Sequence, residues 1–387
     1  MILSYKYRAY PKGEVEAKAV ASIDAARYVY NWTLEQLNKG ETSYYDLQNR
    51  LPGLKKDFPL LKLPYSHMLQ ITARRAFDNI SALAGAKKAG RRVGKLRFKS
   101  RDRFKSIRYN TQGYSVDVGN SIVSFAKIGA IPFEMHRPLP KGEIIGVVLK
   151  HSEDIWYVFF QIETTPTQKE PTGRVVGMDL GLSSYVVDSD GHRFDNPRYM
   201  RRSEERVKEL QRILSQKQKG SKNQEKARKK LSDAHEKIEN QRSDHAHKLS
   251  RYYVDSYDVI VVEDLDVKEM IENGFSGLRK SIHDAGWSRF LRYLSYKAEG
   301  AGRKMIKVEP RGTTQRCSSC GALVPKTLSD RFHDCPECGY VVDRDYNSAR
   351  NILIAGVGHA EELAEPRPLL TILVEQALAM RQEAHML

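Results

Sequence analysis

Cysteine is scarce in this chain of 387 residues: there are four, all between Cys317 and Cys338. Long apolar runs are missing too. None approaches the roughly 20 residues of a membrane span, which excludes a helical membrane protein. The first residues, "MILSYKYRAYPKGE", lack a signal-peptide core, so a cytoplasmic location without a membrane partner is expected. Disulfides are not expected in that reducing compartment. Acidic residues are also short: 48 against 64 Lys and Arg leave a net charge of +16. Such a deficit implies a polyanionic partner, most simply nucleic acid. Hydrophobic content of 40% and charged content of 29% are those of a soluble globular protein with room for two cores.

What is present is concentrated. Cys317-x2-Cys320 and Cys335-x2-Cys338 are two knuckles 14 residues apart, the spacing of a four-cysteine zinc ribbon. Gly321 and Gly339 follow the second cysteine of each pair, where a tight knuckle needs an unhindered backbone. Two disulfides are the other reading, opposed by the compartment. Four thiolates leave no open position for water, so the expected Zn²⁺ is structural.

Three acids stand out against apolar surroundings. "RVVGMDLGLSSYVVDSDG" (Arg174 to Gly191) reads as a β-hairpin whose first strand is interrupted by Asp179. A buried carboxylate costs several kcal/mol unless paired or bound to a metal. "YDVIVVEDLDV" holds four consecutive β-branched residues before Glu263, as in a strand buried on both faces that ends at a sheet rim. Asp345 precedes "YNSARNIL", with apolar positions at helical spacing, so it sits near a helix start. Either Asp343 or Asp345 could instead be an N-cap. Gly177-x-Asp179-x-Gly181 also fits the first phosphate loop of an actin-like ATPase. That alternative needs a second glycine-rich loop near residues 255 to 270, where the chain has "VVEDLDVKEM". Carboxylates converging from three segments bind hard divalent cations. Two such ions can activate a water and stabilise a phosphodiester's leaving oxygen.

These residues carry a family resemblance. "GMDLGL", "VVEDL" and "DRDYNSARNIL", with the ribbon just before the last, resemble the RuvC-type nucleases of the TnpB family. These are transposon-encoded, RNA-guided DNA nucleases similar to the type V CRISPR effectors. "YKYRAYP", "YVYNWTLEQLN", "RFKSRDRFKSIRY" and "RGTTQRCSSCG" extend the likeness over most of the chain. One departure is Asn347-Ser348-Ala349, where the family usually has Asn-Ala-Ala. The resemblance implies Asp179, Glu263 and Asp345, rather than Asp343, as catalytic Mg²⁺ ligands, with two ions expected. It further implies a guide RNA from the transposon end, a double-stranded DNA target with an adjacent motif, and the prokaryotic cytosol or nucleoid.

The remaining segments suit nucleic-acid handling. Lys87 to Arg108 holds eleven Lys or Arg against one acid, with Phe98 and Phe104 interleaved for stacking. Arg91, Arg92, Lys95, Arg97 and Lys99 are its expected phosphate contacts, against the alternative of a solvated loop. "YSHMLQITARR" looks like the family helix near the target-adjacent motif, with Ser66 and Gln70 as its polar readers. Arg201 to Tyr252, with sixteen Lys or Arg against eight acids, reads as a helical hairpin, either a solvated surface or a channel wall.

The expected architecture is α/β. Residues 1–13 and 91–170 form a small nucleic-acid-binding β-barrel, with a helical recognition insertion at 14–90. Residues 171–312 and 341–355 form an RNase H-like (RuvC) core carrying the hairpin at 201–252. The ribbon spans 313–340, and 356–387 is a peripheral tail. The expected activity is metal-dependent, RNA-guided cleavage of DNA, and the alternative is a guided DNA-binding repressor that does not cut.

Overall fold

In the computed structural model β1 (Ile2–Ala9) buries alternate residues, ending on Tyr7 and Ala9. The residues described are 1–40, 43–91, 93–152, 155–327 and 329–362, with side chains as far as residue 356. The chain divides into two compact units, Met1–Thr165 and Pro166 onward.

In the first unit β1 leads into α1 (Gly13–Asn38), α2 (Tyr44–Asp57) and α3 (Ser66–Lys88). Six strands follow: β2 (Ser106–Asn110), β3 (Tyr114–Asp117), β4 (Ile122–Phe125), β5 (Gly129–Glu134), β6 (Glu143–Ser152) and β7 (Ile155–Glu163). They pair antiparallel in the order β2-β6-β7-β1-β5-β4-β3, so β1 lies mid-sheet and the helices are an insertion after it. The sheet curls on itself. Tyr114 Oη, on the edge strand β3, donates to Ile144 O of β6, and Tyr109 Oη of β2 donates to Ala126 O. Buried Ala19, Ala26, Ala73 and Ala76 let α1 and α3 approach closely.

The second unit opens with β8 (Val175–Asp179), β9 (Ser184–Asp188) and β10 (Arg193–Asp195). A helical hairpin follows, α4 (Tyr199–Ser215) and α5 (Lys222–Ser256), and then β11 (Val259–Glu263). Helices α6 (Val267–Asn273), α7 (Ser276–Ala285) and α8 (Trp287–Gly300) lead to β12 (Lys304–Val308). A small ladder, β13 (Phe332–Asp334) with β14 (Val341–Asp343), precedes α9 (Arg344–Glu362). Ser221 caps α5, whereas α4 is capped from a distance. Asp284 of α7 accepts the N–H groups of Met200 and Arg201 and pairs with Arg242 of α5, tying three helices together.

The central sheet runs β10-β9-β8-β11-β12, with β8, β11 and β12 parallel and the hairpin strands antiparallel. Its two faces explain the unbroken apolar run of β11. Val176, Met178, Ile260 and Val262 pack against Tyr253 of α5 and Phe290 and Leu294 of α8. Val175, Val259 and Val261 pack with Ile352 and Leu353 of α9. Strand side chains alternate, so Asp179 and Glu263 continue the row that faces α9.

Three expectations change here. Phe104 is buried against Tyr30, with Arg75 over its ring, because the apolar ring completes the core; only Phe98, 56% exposed, is open for stacking. The basic segment is not one loop, since Lys87 and Lys88 end α3 and Ser106–Arg108 open β2. Nor does a peripheral tail begin at Gly356: α9 continues to Glu362, and a Cβ on Gly356 would lie 2.6 Å from Val261 Cγ2.

Candidate metal centres

The cysteine knuckles form as their spacing predicts. Cys317 N and Cys335 N donate to Ala322 O and Tyr340 O, while Gly321 N and Gly339 N return to Cys317 O and Cys335 O. Gly321 and Gly339 take φ of +82° and +72°, a turn that a side chain would strain. The four sulfurs lie within 4.8 Å of one another, and Cys317–Cys338 and Cys320–Cys335 are 3.7 and 3.6 Å apart. A tetrahedral ion with bonds of about 2.3 Å has sulfur–sulfur edges of about 3.8 Å, so these cysteines could hold zinc as they stand. Burial pushes the Cys317 thiol up to about 12.

The ribbon is fastened to α9. Asn347 Oδ1 accepts from Ser318 N, and Asn347 Nδ2 donates to Arg316 O. Asn351 Nδ2 reaches both Thr313 O and Arg316 O, and Arg350 donates to Tyr340 Oη.

Helix α9 in turn lies directly on β8. A Cβ on Gly177 would lie 2.6 Å from Leu353 N and closer still to Ala349 O, so only glycine permits this approach. Asp345, in the first turn of α9, is thereby carried towards Asp179 at the end of β8. The register pairs Met178 with Val262, so Asp179 and Glu263 are next neighbours on adjacent strands.

The electrostatics follow from this crowding. Exclusion from water holds the Asp179 carboxyl well above the ordinary carboxylate range, and the charges of Glu263 and Asp345 push the same way. The Arg344 guanidinium opposes them. Burial also raises Glu263, while the Thr313 hydroxyl, donating to its Oε1 at 2.6 Å, pulls it back. Asp343 is otherwise engaged: its Oδ1 accepts from the backbone of Asp345 and Tyr346 as the cap of α9, and Arg193 pairs with it at 2.8 Å. Among the described residues, the cysteines are the only set of three or more His, Cys, Asp or Glu whose ligand atoms all lie within 4.8 Å. The three acids converge less tightly.

The expected nucleic-acid residues lie in the first unit. Arg91, Lys95 and Arg97 are exposed; Lys99 is half-buried, its backbone held at both N and O by the Asn31 side chain. Arg92 lies outside the described residues. Ser66 is exposed and accepts from Lys55, while Gln70 is half-buried one turn along α3 on the same stripe. Sequence reading overlooked Thr313 and Asn351. Their signal was the pairing of a hydroxyl in "RGTTQRC" with an amide in "NSARN", which gains meaning only once α9 meets the ribbon.

The chain is similar to known proteins over most of its length. Residues 158–274 match a family described as "Probable transposase", and 287–352 match a "Cas12f1-like, TNB domain". Residues 1–40 match a "Helix-turn-helix domain", although here they form one strand and one 26-residue helix. A protein named as a candidate RNA-guided DNA endonuclease of Streptomyces pristinaespiralis is 33% identical, over 92% of this chain and 89% of that protein. One of the same description from Escherichia coli strain K12 is 30% identical, over 95% and 96%. The fold resembles that of a Cas12f1 solved with single-guide RNA and target DNA, at a TM-score of 0.56, 12% identity and coverage of 91% and 98%. This chain belongs to the TnpB-like family of RNA-guided DNA endonucleases.

Proposed function

We propose that this protein is an RNA-guided DNA endonuclease that hydrolyses phosphodiester bonds with divalent metal at Asp179, Glu263 and Asp345. One observation carries the reading: three carboxylates from β8, β11 and α9 converge on one end of a buried sheet, where burial above all, and then the charges of Glu263 and Asp345, raise the Asp179 carboxyl. Crowded, perturbed acids are typical of metal centres, and Arg344, paired with Asp345 at 3.4 Å, is one cation beside three carboxylates. The mixed five-stranded sheet supports an RNase H-like (RuvC) core for this unit, and the curled seven-stranded sheet supports a barrel-like binding module for the other.

The donor set fits Mg²⁺. Mg²⁺ takes hard oxygen ligands, and all three side chains offer carboxylate oxygens. Asp179, Glu263 and Asp345 would together hold the divalent metal, two ions being what the family resemblance implies. Bound there, the metal would lower the pKa of a water and stabilise the leaving oxygen. The chain's own part is to hold three oxygen donors on rigid elements. Asp343, already spent on the cap of α9, is left out. In the ribbon Zn²⁺ would be structural, fixing the base of α9.

Partners follow the same logic. A guide RNA from the transposon end would supply most of the sequence specificity by pairing with the target strand. Arg91, Arg92, Lys95, Arg97 and Lys99 would contact phosphates, and Ser66 and Gln70 the target-adjacent motif. The test is cleavage of a matched double-stranded DNA by the guide-loaded protein with Mg²⁺. Asp179→Ala should abolish cutting while Asp343→Ala retains part of it, with DNA binding intact in both. A wild type that binds the guided target and leaves it uncut would make the protein a repressor instead.

A further inference from the structure

Thr313 stands in the segment between β12 and the first knuckle, and its side chain is buried. Its hydroxyl donates to Glu263 Oε1 at 2.6 Å. The same hydroxyl lies 3.2 Å from Pro310 O, so it has a second acceptor and a narrow choice of rotamer. The Thr313 backbone is fixed as well, because its carbonyl accepts from Asn351 Nδ2 at 2.8 Å. That amide also holds Arg316 O, one residue before Cys317. Asn351 lies on α9 with Asp345, so a single helix anchors one acid directly and reaches a second through Thr313. Glu263 is itself 9% exposed, leaving water little part in orienting it.

We propose that Thr313, held in place by Asn351, is a positioning residue that presents Glu263 to a divalent cation at the acidic centre. The inference rests on the functional reading above, since it takes Glu263 as a metal ligand. Its physical content is narrower. A glutamate at a strand end has three rotatable side-chain bonds, and only some rotamers aim an oxygen at the position shared with Asp179. The Thr313 hydroxyl occupies Oε1 and would leave Oε2 available to a cation. A group that orients a ligating carboxylate changes metal affinity by about 10- to 100-fold when it is removed. It also explains why the segment before the cysteines is tied to the sheet as well as to the ribbon: zinc binding and the geometry of Glu263 share one backbone anchor.

The test uses the full chain, zinc-loaded and bound to its guide RNA, with Mn²⁺ binding read by titration calorimetry in the absence of DNA. Thr313→Val keeps the shape and loses the hydroxyl, and should weaken the tighter Mn²⁺ site by about 10-fold or more. Thr313→Ser keeps the hydroxyl and should stay within about three-fold of wild type. Zinc content should match wild type in both. Unchanged Mn²⁺ affinity in Thr313→Val would overturn the proposal, as would equal losses in the Val and Ser variants. Glu263→Gln separates the two levels. If it too binds Mn²⁺ like wild type, the acidic centre is not a metal site and the functional reading fails. If it loses Mn²⁺ while Thr313→Val does not, only the positioning role fails.

Discussion

The cysteine ribbon and the acidic centre solve opposite problems within one unit. The ribbon draws its four ligands from 22 residues, and two glycine turns bring the sulfurs to within 4.8 Å of each other. The acidic centre draws its carboxylates from positions 179, 263 and 345, and needs a sheet register, a helix crossing and a ribbon anchor to bring them near. A local site is built by turn chemistry. A distributed one is built by packing, and the packing is done by residues such as Gly177 that carry no ligand.

The comparison can be broken at its strongest point by substitution. Alanine at Asp179, Glu263 or Asp345 should each reduce guided cleavage by about three orders of magnitude or more, and pairs should lose little further, because ligands of one centre act together. Additive losses in the double variants, measured as single-turnover rates, would separate the acids into independent roles. Cys335→Ser should act differently. It should release zinc and loosen the segment from Cys317 to Asp343, since binding energy at such a site is folding energy. The cleavage loss should then be partial, and it should follow zinc content measured by metal analysis.

Gly177→Ala tests the packing arm. A methyl there meets the α9 backbone and should push Asp345 away from Asp179, lowering both the thermal midpoint and Mg²⁺-dependent activity. Retention of both would show that α9 can shift without consequence for the centre.

A gentler test uses the raised carboxyls. Asp179 and Glu263 hold protons more tightly when folded, so ionising them destabilises the metal-free protein. That cost is absent below the ordinary carboxylate pKa and grows as pH rises through the folded values. In magnesium-free buffer near neutral pH, Asp179→Asn should therefore raise the thermal midpoint by about 2–4 °C, the effect of roughly 1 kcal/mol in a domain of this size. Added Mg²⁺ should stabilise wild type and leave the variant unmoved. A lowered midpoint in calorimetry would mean that the charged form is already paired.

The smallest effects belong to the first unit. Charge reversal at Arg91 and Lys95 should flatten the salt dependence of guide-RNA binding by about one unit of log–log slope per lost phosphate contact. An unchanged slope in filter binding would make the segment a solvated surface.

The ribbon was legible because cysteine spacing and the following glycines specify it locally. The strands of the second unit were legible too: a hairpin around Asp179 and a doubly buried run ending at Glu263 have few alternatives. Phe104 was misjudged because an aromatic in a basic segment looks the same whether it faces solvent or Tyr30, and only the packing of α1 against β2 separates the two. The choice between Asp343 and Asp345 was open for a similar reason. Two acids either side of one arginine can each cap a helix, and the roles differ only once Arg193 and the backbone of Tyr346 engage Asp343. Sequence by itself determined the cysteine knuckles, the periods of the strands and the excess positive charge, because each depends on neighbours along the chain. Tertiary structure decided which face of the sheet the acids occupy, how closely α9 approaches β8, and that Thr313 meets Glu263. Those depend on contacts between residues tens of positions apart, which no local pattern encodes.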